Sequence, residues 1–386
     1  MLKIPKKTEY VIETLQKNGF EAYIVGGCVR DLLLSKSPCD FDVTTSAKPE
    51  AVMSLFEKTV PTGIKHGTVT VIVDGEALEV TTFRTESGYQ DNRHPETVNF
   101  VASLKEDLAR RDFTVNAIAY NHESGLCDYF GGITDLKNKI LRAVGCPEIR
   151  FGEDALRILR LFRFSSTLCF SAEEKTLSAA LSLSKSLENI SMERITAELK
   201  KAVLGDNLEC FSSLISVDAL SFLGMTKIPD FKILKAVNKN PDLAFFLFFY
   251  LSGADTYSLP DILKLSNNEK QYFAKMTFLC DGKIPSEKAE LKQKLRYSSQ
   301  KAVEDYLLFL SASGEKTDQL SEFLKIVLEN SEPYLISHLA LDGNCLKDLG
   351  FTGTKIGEAM NLLLEEVIVN PQKNTPEKLC EFLKNL

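Results

Sequence analysis

Asp40 and Asp42, in the segment CDFDVTT, are the pair of residues in this sequence best placed to do chemistry. On an extended strand side chains alternate between faces, so both carboxylates would project one way while Phe41 and Val43 go the other. Carboxylates this close repel each other unless a cation joins them. Mg²⁺ takes hard oxygen ligands and leaves positions for substrate phosphates, and two such ions about 3.5–4 Å apart can activate an attacking hydroxyl and stabilise a leaving oxygen. The alternative is a paired-aspartate strand edge that merely faces water. Glu79, in GEALEVTTFR, is the candidate third carboxylate, with Asp74 and Glu76 as rival neighbours.

A phosphate-type turn precedes this pair. In EAYIVGGCVRD an apolar run ends in Gly26 and Gly27 and opens into a helical pattern with Arg30 one turn in. Unobstructed backbone N–H groups and the positive end of a helix favour an anion there. The plainer reading is an ordinary Gly-Gly turn with Arg30 paired to Asp31. Further on, Arg110, Arg111 and Asp112 stand at the mouth of an apolar stretch, suited to triphosphate oxygens and a ribose hydroxyl, or to an ordinary helix-start ion pair. In GEDALRILRLFRF, Asp154 and Arg157 have i, i+3 spacing and Arg160 and Arg163 continue the stripe. A guanidinium donating to a ring nitrogen, beside a carboxylate accepting from an amine, would select cytosine and adenine and reject uracil and guanine. The alternative is a structural Asp-Arg pair packed against another domain.

The elements that must position these groups change character near residue 140. Before it, short β-rich runs (EAYIVGG, DFDVTT, GTVTVIV, ALEVTTF, NAIAYN) are separated by Gly, Pro and Asp, after an amphipathic helix over about Pro5 to Asn18. After Cys146 the pattern is helical throughout, with no alternating strand and with turns expected at 205–207, 228–230, 282–286 and 332–333. A chain of 386 residues exceeds what one core usually organises. Its net charge of −7 argues against indiscriminate nucleic-acid binding, although a local basic surface is compatible with it. Nine scattered cysteines without CxxC spacing indicate free thiols in a reducing cytoplasm, and the N-terminus carries no secretory pattern. The run LAFFLFFYL is too short to span a bilayer and reads as a buried helix.

In order, GGCVRD, DFD, HGTVTV, EVTTFR, RRDFTVNAIAYN, DYFGGITDL, EDALRILRLFRF and ERITAEL resemble the class II tRNA nucleotidyltransferases, the CCA-adding enzymes, and their relatives the bacterial poly(A) polymerases. These motifs cover about residues 20 to 205. The resemblance implies an α/β nucleotidyltransferase head (1–142; a mixed sheet with helices, polymerase-beta-like) followed by an all-α neck (143–205), body (206–280) and tail (281–386). It implies that Asp40 and Asp42 hold two Mg²⁺, that Gly27, Arg30 and Arg111 contact the incoming nucleotide, and that Asp154, Arg157, Arg160 and Arg163 form the base-reading helix. Asp91 and Arg93, in the loop 85–95, match a loop that CC-only enzymes are said to lack in working form, which favours full CCA addition. The substrates implied are CTP, ATP and the acceptor arm and 3′ end of tRNA, with no membrane partner; whether the chain forms a homodimer stays open. The tail-like segment after Leu341 includes a Gly-flanked helix start at 354–357, suited to a backbone phosphate or to a plain turn in a bundle. The four histidines are too widely separated for an appended phosphohydrolase domain. Rival readings are a poly(A) polymerase, a CC-only or A-only enzyme, and a non-catalytic RNA-binding protein on the same scaffold.

Overall fold

The computed structural model describes residues 2–89 and 95–384, without the side chains of 86–89 and 95–98. Asp91 and Arg93 therefore lie outside the described residues. The chain divides into two compact units, Met1–Ile228 and Pro229–Leu386, the boundary falling at one of the expected turns.

The first unit runs α1 (Lys6–Lys17), β1 (Ala22–Val25), α2 (Gly27–Leu33), β2 (Val43–Thr45), α3 (Pro49–Leu55), β3 (Thr59–Gly63), β4 (Thr68–Val73), β5 (Glu76–Thr82), β6 (Arg84–Tyr89), β7 (Pro95–Phe100), α4 (Leu104–Ala109), β8 (Ile118–Asn121), β9 (Gly125–Asp128), α5 (Gly132–Asn138), β10 (Ile140–Leu141), α6 (Pro147–Glu153), α7 (Leu156–Leu168), β11 (Ser171–Ala172), α8 (Glu174–Ser182) and α9 (Met192–Ala202). Seven strands form one mixed sheet in the order β3-β4-β5-β2-β1-β8-β9, in which β2 and β5 are parallel and the other pairs antiparallel.

Central strand β1 is buried along its whole length because both sheet faces are covered. Its Ala22 and Ile24 join Val11, Leu15, Val29 and Val52 of the helices on one face. Tyr23 and Val25 join Phe83, Leu104 and Leu108 on the other. A strand buried on both faces loses the polar-apolar alternation of a half-exposed one. Edge strand β3, TVPTG, is largely exposed and too polar to read as a strand from pattern alone. The hairpin β6–β7 and the short parallel pair β10–β11 were likewise not expected from the sequence. β11 corrects the expectation of no strand beyond Cys146; its two residues are held by backbone bonds to the β10 segment rather than by any side-chain pattern.

Helices α7 and α9 pack closely enough to require glycine at 205, where a Cβ would lie 2.1 Å from Ser166 Oγ and 2.5 Å from the Ser166 carbonyl carbon. The obstacle is backbone and cannot swing aside. Gly205→Ala is expected to destabilise the first unit by about 3 kcal/mol or more, read as a lower urea midpoint at unchanged slope.

The second unit is wholly helical among its described residues. The LAFFLFFYL run lies in a helix, Pro241–Leu251, whose residues from Leu243 to Phe249 are all buried. Lys292, fully buried, donates to Glu332 (3.2 Å) and to the Ile368 carbonyl (2.9 Å), so the charge taken from water is paired. The expected helix start near 354 is present, with Gly353 at φ 59° ahead of Thr354–Val369. Among the described residues no helix is long and apolar enough to cross a membrane.

Candidate active site

Gly26 ends β1 with φ 81° and ψ −129°, a conformation that costs residues with a Cβ dearly. A Cβ there would stand 2.9 Å from Arg111 Nη1, so the glycine also makes room for a guanidinium. Gly27 begins α2. Arg30, one turn in, is 8% exposed, and its cation is already engaged. Its Nη1 donates to Asn116 Oδ1 (2.7 Å), its Nε to Asp31 Oδ1 (2.9 Å), and its guanidinium carbon lies 5.1 Å from the Phe164 ring centre. The Asp31 pair weighed from the sequence therefore exists, inside a larger network.

The carboxylates stand just before β2. Strand geometry begins at Val43 rather than Cys39, correcting the expected strand, although the Asp42 carbonyl already accepts from Val25 N–H at 3.1 Å. Asp40 and Asp42 are both exposed. Because Val43 lies beside Val80 in the parallel pair β2–β5, Asp42, which leads into β2, and Glu79 of β5 are neighbours. The rivals are placed elsewhere: Lys7 Nζ bonds Glu76 (2.7 Å) and the Asp74 carbonyl (3.4 Å) at the far end of the β4–β5 turn. Partial desolvation, then the charges of Asp40 and Glu79, raise the Asp42 carboxyl above its ordinary value, with Arg111 opposing. Among the described residues no three His, Cys, Asp or Glu form a ready-made metal cluster. A crowded set of hard oxygen donors with one raised carboxyl nevertheless fits a divalent cation whose remaining ligands come from substrate oxygens.

Arg111 lies between these carboxylates and the glycine turn. Its Nη2 reaches Asp107 at 3.5 Å, while Nε is buried with no hydrogen-bond partner among the described residues. It therefore retains donors for a substrate anion.

Asp112 is oriented inward. It accepts from Arg160 Nε (2.8 Å), Asn116 Nδ2 (3.0 Å) and the Phe113 N–H (2.8 Å). Burial alone would raise its carboxyl; Arg160 and these hydrogen bonds outweigh it and hold the group down at about 2. Arg160 and Arg163 both pair with Glu198, and their guanidinium carbons lie 5.3 and 3.8 Å from the Phe164 ring centre. With Arg30, three arginines thus surround one phenylalanine, worth up to about 2 kcal/mol for each well-desolvated contact.

The Asp154–Arg157 pair weighed as the alternative is not formed, and the shared helix face expected from their spacing is not present either. Asp154 sits in the break between α6 and α7, in extended backbone rather than on a shared helix face. Its Oδ2 accepts from Arg194 Nη2 (2.8 Å) and its Oδ1 from Leu156 N–H (3.1 Å). Arg157, 9% exposed, donates through Nη1 to Glu153 (2.7 Å) and the Arg150 carbonyl (3.0 Å), and through Nη2 to the Arg110 carbonyl (2.9 Å). A guanidinium has five N–H donors, so among the described residues Nε and one Nη2 proton are not engaged.

Sequence reading missed Asn116, Glu153, Phe164, Arg194 and Glu198. One signal was available for Glu198, which occupies the buried stripe of α9 with Ile195, Leu199 and Ala202. An acid there requires cationic partners.

A glycine turn and carboxylates leading into a mixed sheet, with an inward arginine cluster on helix α7, are the parts that a nucleotidyl-transfer site needs. A family model described as the poly A polymerase head domain matches residues 22–142, and one described as a probable RNA and SrmB-binding site of polymerase A matches 169–223. The CCA-adding enzyme of Lactobacillus helveticus (strain DPC 4571) is 38% identical over 418 aligned residues, covering 100% of each chain. That of Enterococcus faecalis (strain ATCC 700802 / V583) is 54% identical over 202 residues, covering 52% of this chain and 50% of its own. The crystal structure of the Bacillus stearothermophilus CCA-adding enzyme in complex with CTP superposes with a TM-score of 0.84 at 31% identity, covering 98% of both chains. The chain belongs to the CCA-adding enzyme family.

Proposed function

We propose that this protein adds C, C and A to the 3′ end of tRNA from CTP and ATP, without a nucleic-acid template, and releases pyrophosphate. The observation carrying this reading is the meeting of Asp42, Glu79 and the under-satisfied Arg111 beside Gly26. Asp40 and Asp42 would hold Mg²⁺, with Glu79 beside them; when bound, the metal supplies a more acidic 3′ hydroxyl and stabilises charge on the leaving oxygens. Gly26 and Gly27 offer backbone N–H groups to the triphosphate, and Arg111 donates to its oxygens. Arg30, Asp112, Arg160 and Arg163 brace the base-reading segment against the head. Asp154 and the unused donors of Arg157 meet the Watson–Crick edge of the incoming base. No covalent enzyme intermediate is required.

The division into head (1–142), neck (143–205), body (206–280) and tail (281–386) belongs to the same reading, with the helical second unit holding the acceptor arm. The cytoplasm is the proposed compartment, nine free cysteines suiting reducing surroundings.

The test supplies the protein with Mg²⁺, tRNA transcripts lacking CCA, CA or A, and CTP, ATP or both. The expected result is extension of each transcript to a single CCA end and then a stop. Continued adenylation would replace this reading with a poly(A) polymerase, a stop after the second C with a CC-only enzyme, and activity on the transcript lacking A alone with an A-only enzyme.

A further inference from the structure

Asp107 has no exposed surface, and its two oxygens serve four residues from three parts of the head. Oδ1 accepts from Arg110 Nη2 (2.8 Å) and Nε (3.0 Å) and from the Arg84 N–H (3.3 Å). Oδ2 accepts from Thr44 Oγ1 (3.2 Å) and Arg111 Nη2 (3.5 Å). Thr44 belongs to β2, the strand that Asp42 leads into, and Arg84 opens the β6–β7 hairpin.

The donors separate two jobs. An amide in the same place would keep both ties without ionising: its one oxygen would accept from the Arg84 N–H, and its NH2 would donate to the Thr44 hydroxyl, which can donate in turn to the Thr81 carbonyl (3.3 Å), so tying the strand and the hairpin does not call for a charge. A fully buried carboxylate is costly unless cations compensate it, and the cations here are Arg110 and Arg111. Arg111 is the one that reaches the site: its Nη1 stands over Gly26, it interacts with Asp42, and its Nε has no partner among the described residues. The only hydrogen bond fixing its side chain among the described residues is the one to Asp107. The same end of α4 also supports the base-reading arginine, since the Ala109 and Arg110 carbonyls accept from Arg150 (3.0 Å) and Arg157 (2.9 Å).

We infer that Asp107 is a positioning residue for nucleotidyl transfer, whose charge holds the Arg111 guanidinium between Gly26 and Asp42, where it meets the triphosphate. This rests on the nucleotide-transfer reading above. A guanidinium held by one longer contact wanders when that contact loses its charge, and the loss falls on the triphosphate, which CTP and ATP share.

The test is a double-mutant cycle with the full-length protein, D107N, R111Q and the combination, read as kcat and KM for addition to tRNA lacking CCA or A. D107N is expected to raise KM for CTP and ATP alike by about tenfold, with kcat changed less than about threefold. In the R111Q background the same replacement is expected to change KM less than about twofold, because its target is already gone. A role confined to bracing the fold would lower the melting temperature and give the same fold-change in both backgrounds, which overturns the inference, as does a parental KM in D107N. Should D107N fail to fold, D107E, which keeps the charge and displaces it by one methylene, runs through the same cycle with the same dependence on Arg111. The parent measured alongside separates the two ideas. A parent that adds no nucleotide overturns the functional reading, whereas an active parent with an unchanged or additive D107N overturns this inference alone.

Discussion

Asp42→Ala is expected to lower nucleotide incorporation by at least about a thousand-fold while tRNA affinity in a filter-binding assay stays within about twofold. A carboxylate that holds a Lewis-acidic ion supports several kcal/mol of transition-state stabilisation, and each 1.36 kcal/mol is about tenfold in rate. The tRNA has no call on that carboxylate in the ground state. Stability separates this loss from unfolding. The Asp42 carboxyl is raised in the fold by desolvation, Asp40 and Glu79. An acid with a raised folded value binds its proton more tightly when folded. It therefore costs nothing below the ordinary carboxylate range, and its penalty grows as pH rises through that range and is complete above the raised folded value. At pH 7 in metal-free buffer the variant should thus melt no lower than the parent. Retained turnover, or a lower melting temperature accompanying the loss, would remove Asp42 from the catalytic role.

The second large effect is on base choice. Replacing Arg157 with Ala is expected to collapse a preference for CTP and ATP over UTP and GTP, of order a thousand-fold, to within about tenfold. Sites built to hydrogen-bond a substrate group reject analogues that leave those groups unpaired, by factors reaching about 10⁴–10⁵. Asp154→Ala should act in the same direction. The structure adds a complication: Arg157 also ties α7 to α6 and to the end of α4 through Glu153 and the Arg150 and Arg110 carbonyls. Part of the loss in R157A is therefore positional. Glu153→Gln, which weakens the hold on Arg157 while leaving its donors in place, should lower discrimination by a smaller factor, near tenfold. The check is kcat/KM for single additions of all four nucleotides. Unchanged ratios in R157A would assign base reading to other residues.

How legible the site was depended on whether its geometry is local. The Gly26 turn was readable because a strand running into two glycines leaves few backbone options, and φ 81° at Gly26 follows from that. β1, β4 and β8 were readable because their apolar runs are buried in the sheet, and β5 because it alternates, with Leu78, Val80 and Thr82 buried and Ala77 and Glu79 exposed. The β6–β7 hairpin, TESGY against PETVNF, has no comparable stripe. Its backbone pairs in register, Arg84 beside Phe100 onward, while its side-chain pattern is mixed. Glu79 could not be separated from Asp74 and Glu76 by sequence spacing, since all three surround one turn; the parallel register of β2 and β5 made the choice.

The arginine stripe shows the same division at finer scale. Arg residues at 157, 160 and 163, beside Leu and Phe, correctly indicated a helix face that is not solvated. Their partners are remote in sequence: Asp112 for Arg160, and Glu198 for Arg160 and Arg163. For Asp154 and Arg157, i, i+3 spacing suggested a pair, yet the chain breaks between α6 and α7 at Asp154, which turns to Arg194 instead.

By itself, then, the sequence determined what local chemistry determines: a glycine turn, two aspartates at a strand edge, arginines on an unsolvated helix, an α/β first part and a helical second. Those follow from backbone sterics, charge and hydrophobic period, all acting over a few residues. Only the tertiary structure decided which carboxylate stands beside Asp42, which acids satisfy each arginine, and that Asp107, buried and ordinary in sequence, holds Arg111 at the site. A buried charge is tolerated only where a complementary one arrives, and that arrival is set by how strands register and helices cross.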